Sequence, residues 1–195
     1  MIRSFAAPLA ALILALPAAA QDTYKVDAIH SEVTFKVRYL VGKVSGSFGA
    51  FSGTVVVDEQ NPAKSSVDFT IQATSINTNN EARDKHLRAA DFFEVEKFPT
   101  LSFKSVAVKE VAKGKLEVTG DFTLRGVTKR ITVPVTNLGA SIHPFSKKVN
   151  AAFQTAFTIQ RKDYGMAYGL TDAANIVVGN DVEIELTILA EKQGK

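Results

Sequence analysis

The sequence predicts an all-β protein, and three observations predict it. Apolar and polar residues alternate with period two through most of the chain, Gly- and Asn-containing turns interrupt the alternation, and a single stretch has a helical rhythm instead. Eight runs carry the alternation, at about 32–41, 44–58, 65–76, 100–109, 114–124, 130–139, 149–159 and 180–191. In the first, Val33, Phe35, Val37, Tyr39 and Val41 share one face, with Glu32, Thr34, Lys36 and Arg38 on the other. The last is the most regular, Val182, Ile184, Leu186 and Ile188 alternating with Asp181, Glu183, Glu185 and Thr187. Short links read as hairpins, "VGK" at 41–43, "AKGK" at 112–115 and "LRGVTK" at 124–129, while "DEQNPAKS" at 58–65 is a longer polar loop. Gly46, Gly49 and Gly53 in the second run predict a bulge or a sharp bend, which a closing sheet needs.

Antiparallel strands with one apolar face form either a sandwich or a closed barrel. A barrel of this strand number is either filled by its side chains or wide enough for one small ligand. The face inferred to point inward is rich in aromatic residues: Phe35, Phe48, Phe51, Phe69, Phe103, Phe122, Phe153 and Phe157. Composition alone favours the simpler reading, in which these rings fill a core.

The first twenty residues stand apart from this pattern. Arg3, the run "AAPLAALILALPAAA" and the small residues Ala18–Ala20 read as a secretory signal cut before Gln21, leaving one domain over 21–195. The run is short and Ala-rich for a membrane span, so the expectation is a soluble, exported protein. With no Cys, the chain can make no disulfide, no thiol chemistry and no thioether-linked haem. The formal charge of +3 is spread among acids rather than gathered in basic runs, which argues against nucleic acid as a partner.

The helical stretch covers 79–90. Thr78 and Glu81 have capping-box spacing, and Glu81–Lys85 and Asp84–Arg88 are acid-before-base pairs four apart. A turn of 100° per residue puts Glu81, Asp84, Lys85 and Arg88 on one side and Ala82, Leu87 and Ala90 on the other, together with Arg83 and His86. A basic pair on a docking face needs an acid, backbone carbonyls or an anionic or polar ligand head as partner. Catalysis is not indicated: the three histidines, His30, His86 and His143, lie on distant segments, no metal or nucleophile motif is present, and Asp84 and His86 point about 200° apart on a helix. A second irregular segment, 160–180, is long enough to be functional; Tyr164, Met166, Tyr168 and Leu170 could form an apolar lid or fold onto the outer wall.

Four stretches, "VDAIHSEVTFKV", "GSFGAFSGTVVVD", "SINTNNEARDKHLRAADFFEVEKFPTLSF" and "VTGDFTLRGVTKRITVPV", resemble the successive signatures of the YceI-like, polyisoprenoid-binding family, and the resemblance runs over about 23–191. It implies an eight-stranded antiparallel lipocalin-like barrel with one short helix and a long C-terminal loop. It also implies an exported, periplasmic, non-catalytic protein without cofactor that carries an isoprenoid lipid, either a prenyl quinone or a prenyl diphosphate. On that reading the ligand lies against Phe35, Val37, Tyr39, Phe48, Phe51, Phe69, Phe103, Phe122, Phe153, Phe157 and Ile184, with Arg83 and His86 beside a polar head. Many members carry His where this chain has Arg38, a position that the alternation turns outward. The alternative is an interaction module with a filled core whose loops dock a membrane redox partner. Exposed strand edges would also allow a homodimer.

Overall fold

Each predicted run forms a stave of the sheet, and three of the staves are broken in the middle so that the sheet can bend. The computed structural model describes residues 21–169 and 177–194. The first stave is β1 (Asp22–Val26) plus β2 (Glu32–Tyr39), the second β3 (Gly42–Phe48) plus β4 (Phe51–Val57), and the third β5 (Ser66–Gln72) plus β6 (Ile76–Asn77). Then come α1 (Glu81–Arg88) and five unbroken strands: β7 (Thr100–Ala112), β8 (Lys115–Leu124), β9 (Val127–Ile142), β10 (Val149–Gln160) and β11 (Val178–Lys192). Every pairing is antiparallel between consecutive staves. The ring closes because β11 pairs with both parts of the first stave, Tyr24 with Lys192 and Val37 with Val182. The result is a closed eight-stranded barrel.

The breaks have local causes. Between β1 and β2, the Asp27 carboxylate accepts from the backbone N–H groups of Ile29 (2.9 Å) and His30 (3.4 Å), which turns the chain. The glycine-rich second run bends at Gly49–Ala50, as its composition predicts. The first stave starts at Asp22, ahead of the visible alternation, because β1 is too short to show a period. The first hairpin turns at Leu40–Val41, one residue before the predicted "VGK", with Leu40 at φ 52°. The other two tight turns fall where their glycines require, Gly114 at φ 70° and Gly126 at φ 73°. Closure leaves no long free strand edge among the described residues.

At eight staves, bulky rings pointing inward would be enough to fill the tube, yet several lie flat against its wall. Phe35 leans over Gly46, Phe69 over Gly53 and Phe103 over Gly120, where a β-carbon would collide with the ring. A β-carbon on Gly53 would sit 2.7 Å from the Phe69 ring and 2.8 Å from the Asp68 carbonyl oxygen. Glycine under an aromatic ring is a known device of curved sheets. Here it keeps the middle of the barrel open.

Candidate functional site: an apolar lumen closed by a helix

Four connections meet at one end of the barrel: the 40–41 turn, the segment with α1, the 125–126 turn and the segment after β10. The α1 segment is anchored differently from the sequence pattern. Asn80 rather than Thr78 is the N-cap, its side chain accepting from Arg83 N–H at 2.9 Å. Thr78 is instead buried, and its N–H and hydroxyl both donate to Asp84 Oδ1, at 2.9 and 2.5 Å. Asp84, expected on the solvent side, is therefore the buried residue of the helix. Arg88 does not pair with it; its Nε and Nη2 donate to the carbonyls of Thr74 (2.9 Å) and Ile76 (2.8 Å). No ion pair joins Glu81 to Lys85 among the described residues. Of the expected apolar side, Leu87 packs on the core while Ala82 and Ala90 are exposed.

Arg83 and His86 do reach the barrel mouth. Arg83 Nε donates to Thr78 Oγ1 (2.7 Å) and Nη2 to the Thr78 carbonyl (2.8 Å). His86 Nε2 lies 2.9 Å from Asp91 Oδ2, and its ring meets Phe92 and Tyr168 edge to face at 5.1 and 5.0 Å. The other two histidines are elsewhere, His30 paired with Asp27 at the first bend and His143 in the loop after β9.

Tyr168 belongs to the segment after β10, which begins with one 3-10 turn, Arg161–Tyr164, ended by Gly165 at φ 76°. Tyr164 and Met166 are buried, with Tyr164 edge to face on Phe122 at 5.5 Å, so this part of the segment plugs the barrel end rather than lying on its outer wall. Leu170, the fourth residue of the expected lid, lies outside the described residues. Arg125 ties the two connections together, donating to the carbonyls of Ala90 (2.7 Å) and Gly165 and to the Glu94 carboxylate (3.1 Å).

Below this cover a cavity of about 540 Å³ runs through the barrel, within the range of small-molecule sites. At the covered end it reaches Arg83, His86, Tyr168 and Arg161; at the far end it reaches Val57, Ser65, Ser66 and Asn137. There Tyr24, Ala151, Phe153 and Ala190 pack into a closing cluster. Phe35, Val37, Tyr39, Phe48, Phe69, Phe103, Phe122, Phe153, Phe157 and Ile184 all border the cavity, as do Arg83 and His86. Phe51 does not; it is buried and stacked on Phe69 at 5.7 Å. The rings therefore line a space instead of filling a core. Arg38 is exposed on the outer side, its Nη1 donating to the Leu40 carbonyl at 2.9 Å.

Sequence reasoning missed Arg161. It is 3% exposed and donates to the carbonyls of Gly179 (2.8 Å), Met166 (3.0 Å), Tyr168 (2.8 Å) and Val178 (3.2 Å). Burial pushes its pKa below the ordinary arginine value, although an arginine in a protein stays charged. Parity held the clue: Phe153, Phe157, Ile159 and Arg161 all point to the same face of β10 and its continuation.

These features define a class, an antiparallel meander barrel built around an elongated apolar lumen with a basic, covered end. The YceI-like domain profile matches residues 24–190, and the chain belongs to that family. The protein YceI of Shigella flexneri is 36% identical over 185 residues, 93% of this chain and 92% of that protein. Among solved structures, Burkholderia cenocepacia BcnA superposes with a TM-score of 0.76 at 24% identity, covering 84% of this chain and 98% of BcnA. A polyisoprenoid binding domain from Saccharophagus degradans superposes with a TM-score of 0.65 at 18% identity, covering 87% of this chain and 98% of that domain.

Proposed function

We propose that the protein is an exported, periplasmic carrier that sequesters one isoprenoid lipid, a prenyl quinone or a prenyl diphosphate, in the barrel lumen and performs no bond chemistry on it. The observation that carries this reading is the continuous apolar cavity of about 540 Å³ in a protein with aromatic residues enough to fill it. Each CH₂ moved from water into such a space gains about 0.8 kcal/mol, so a long tail supplies affinity without a polar contact. The shape suits a chain rather than a compact ligand. The longest strand has 16 residues, and at roughly 3.3 Å per residue and a tilt near 40° it makes a wall of about 40 Å. Family membership and the fold shared with a polyisoprenoid binding domain support the same class of ligand. The amino-terminal secretory pattern supports export.

Native mass spectrometry of protein purified without detergent, followed by organic extraction, tests the proposal. The expected result is one prenyl lipid per chain. Phe69→Asp or Phe153→Asp places a carboxylate on the lumen wall and should abolish retention in a folded protein. Full retention by either variant, or a wild-type protein that stays empty when isoprenoids are offered, overturns the reading.

A further inference from the structure

The polar groups of the lumen are distributed unevenly. Its basic lining residues are Arg83, His86 and Arg161, all at the covered end, and no Asp or Glu borders it among the described residues. The polar groups toward the far end, Ser65, Ser66, Asn137 and Gln154, are neutral. The three basic side chains form one cluster. Arg83 and His86 are a turn apart on α1, the His86 ring touches Tyr168, and the Tyr168 carbonyl accepts from Arg161.

Within that cluster, among the described residues, only His86 has a carboxylate partner, Asp91. Arg161 bonds four backbone carbonyls, and Arg83 bonds the hydroxyl and carbonyl of Thr78. Neither guanidinium has an acid within ion-pair distance among the described residues. A guanidinium has five N–H donors, so the fork of Arg83 retains unused ones. Both carry a full positive charge that neutral acceptors orient but do not cancel.

We propose that the lumen selects an amphiphile whose head carries an anionic oxygen, seated between Arg83 and Arg161 at the covered end with its tail running toward Tyr24. This rests on the reading of the lumen as a lipid site and deepens it by assigning the head. The physical argument compares two ligands with the same tail. A neutral alcohol head leaves both cations uncancelled. An anionic head gains charge-assisted hydrogen bonds from a fork already held in place. Its dehydration, the cost that excludes anions from apolar pockets, is offset because Arg83 stays partly exposed at the mouth. Carboxylate and phosphate share this chemistry.

Delipidated protein is titrated, with native mass spectrometry as readout, against two matched pairs: geranylgeranyl phosphate with geranylgeraniol, and palmitate with hexadecanol. The anion is expected to bind at least tenfold more tightly than its alcohol. That preference should fall below threefold in Arg83→Gln and in Arg161→Gln, and persist in Lys36→Gln, whose cation sits on the outer wall beside Glu185. A preference confined to the prenyl pair assigns the head to a prenyl phosphate; one seen in both pairs assigns it to anionic amphiphiles of either tail. Should buried Arg161→Gln not fold, the exposed Arg83→Gln carries the test. Equal binding of phosphate and alcohol by the wild type overturns head selection while leaving the lipid-site reading intact. Failure of all four ligands to bind overturns both.

Discussion

Asp84 holds the helix to the barrel by reaching backward, taking two hydrogen bonds from Thr78 in a place closed to water. Removing the carboxylate leaves the Thr78 N–H buried without an acceptor, and hydrogen bonds to a charged group are worth about 1.5–3 kcal/mol. Asp84→Ala should therefore lose about 2–3 kcal/mol, read as a lower urea midpoint at unchanged m-value. A loss under about 0.5 kcal/mol would mean that α1 is held by Leu87 packing alone. Helical spacing did not reveal this role, because a wheel places Asp84 beside Glu81 and Lys85 and is blind to the chain doubling back at Thr78. The same holds for Arg88, whose partners are carbonyls of the preceding stave and not the acid four residues away.

At the scale of elements, the staves and their tight turns were legible, and the side-chain contacts that join one stave or connection to the next were not. Period-two alternation reports which face is buried, so it marked all eight staves and the inward side of the last one, where Val182, Ile184, Leu186 and Ile188 border the cavity. It says nothing about whether the inward side chains meet in the middle. That depends on the glycines opposite them, which belong to neighbouring staves. Gly53→Val is expected to lift the Phe69 ring off the wall and to press on the Asp68 carbonyl. Overpacking of this kind costs about 1–3 kcal/mol, and the variant should also hold less lipid, both measurable on one preparation. The two connections over the mouth form a second junction, made by Arg125. Arg125→Met keeps the stem of the side chain and removes its bonds to Ala90, Glu94 and Gly165. Amide exchange of 90–95 and 161–166 should accelerate together by roughly tenfold, the equivalent of about 1.4 kcal/mol of local opening. Exchange of 101–104 in β7 should not change. Acceleration of only one of the two segments would show that they are fastened independently.

For the molecule as a whole, the two ends of the barrel share a sensitivity to alkali. Burial raises the pKa of Tyr24 at the far end and of Tyr164 under the cover, so each phenol ionises at higher pH in the folded chain than in the unfolded one. Below the ordinary tyrosine value of about 10 neither group changes stability. As pH rises past it, the unfolded chain loses protons that the folded chain retains, and stability falls until the folded pKa is passed. The alkaline limb of the stability curve, read as the urea midpoint against pH, should flatten in a Tyr24→Phe, Tyr164→Phe double variant. The seam has a different consequence. Ser31 reaches Leu189 across 158 residues of sequence, and β11 alone grips both halves of the first stave. Contacts so distant along the chain form late, after the loop entropy they require has been met. Until β11 docks, the other seven staves make a curved trough with a greasy floor and two bare rims. The enclosed lumen is thus expected to form last, so that a lipid offered while the chain folds would meet a trough before it meets a tube.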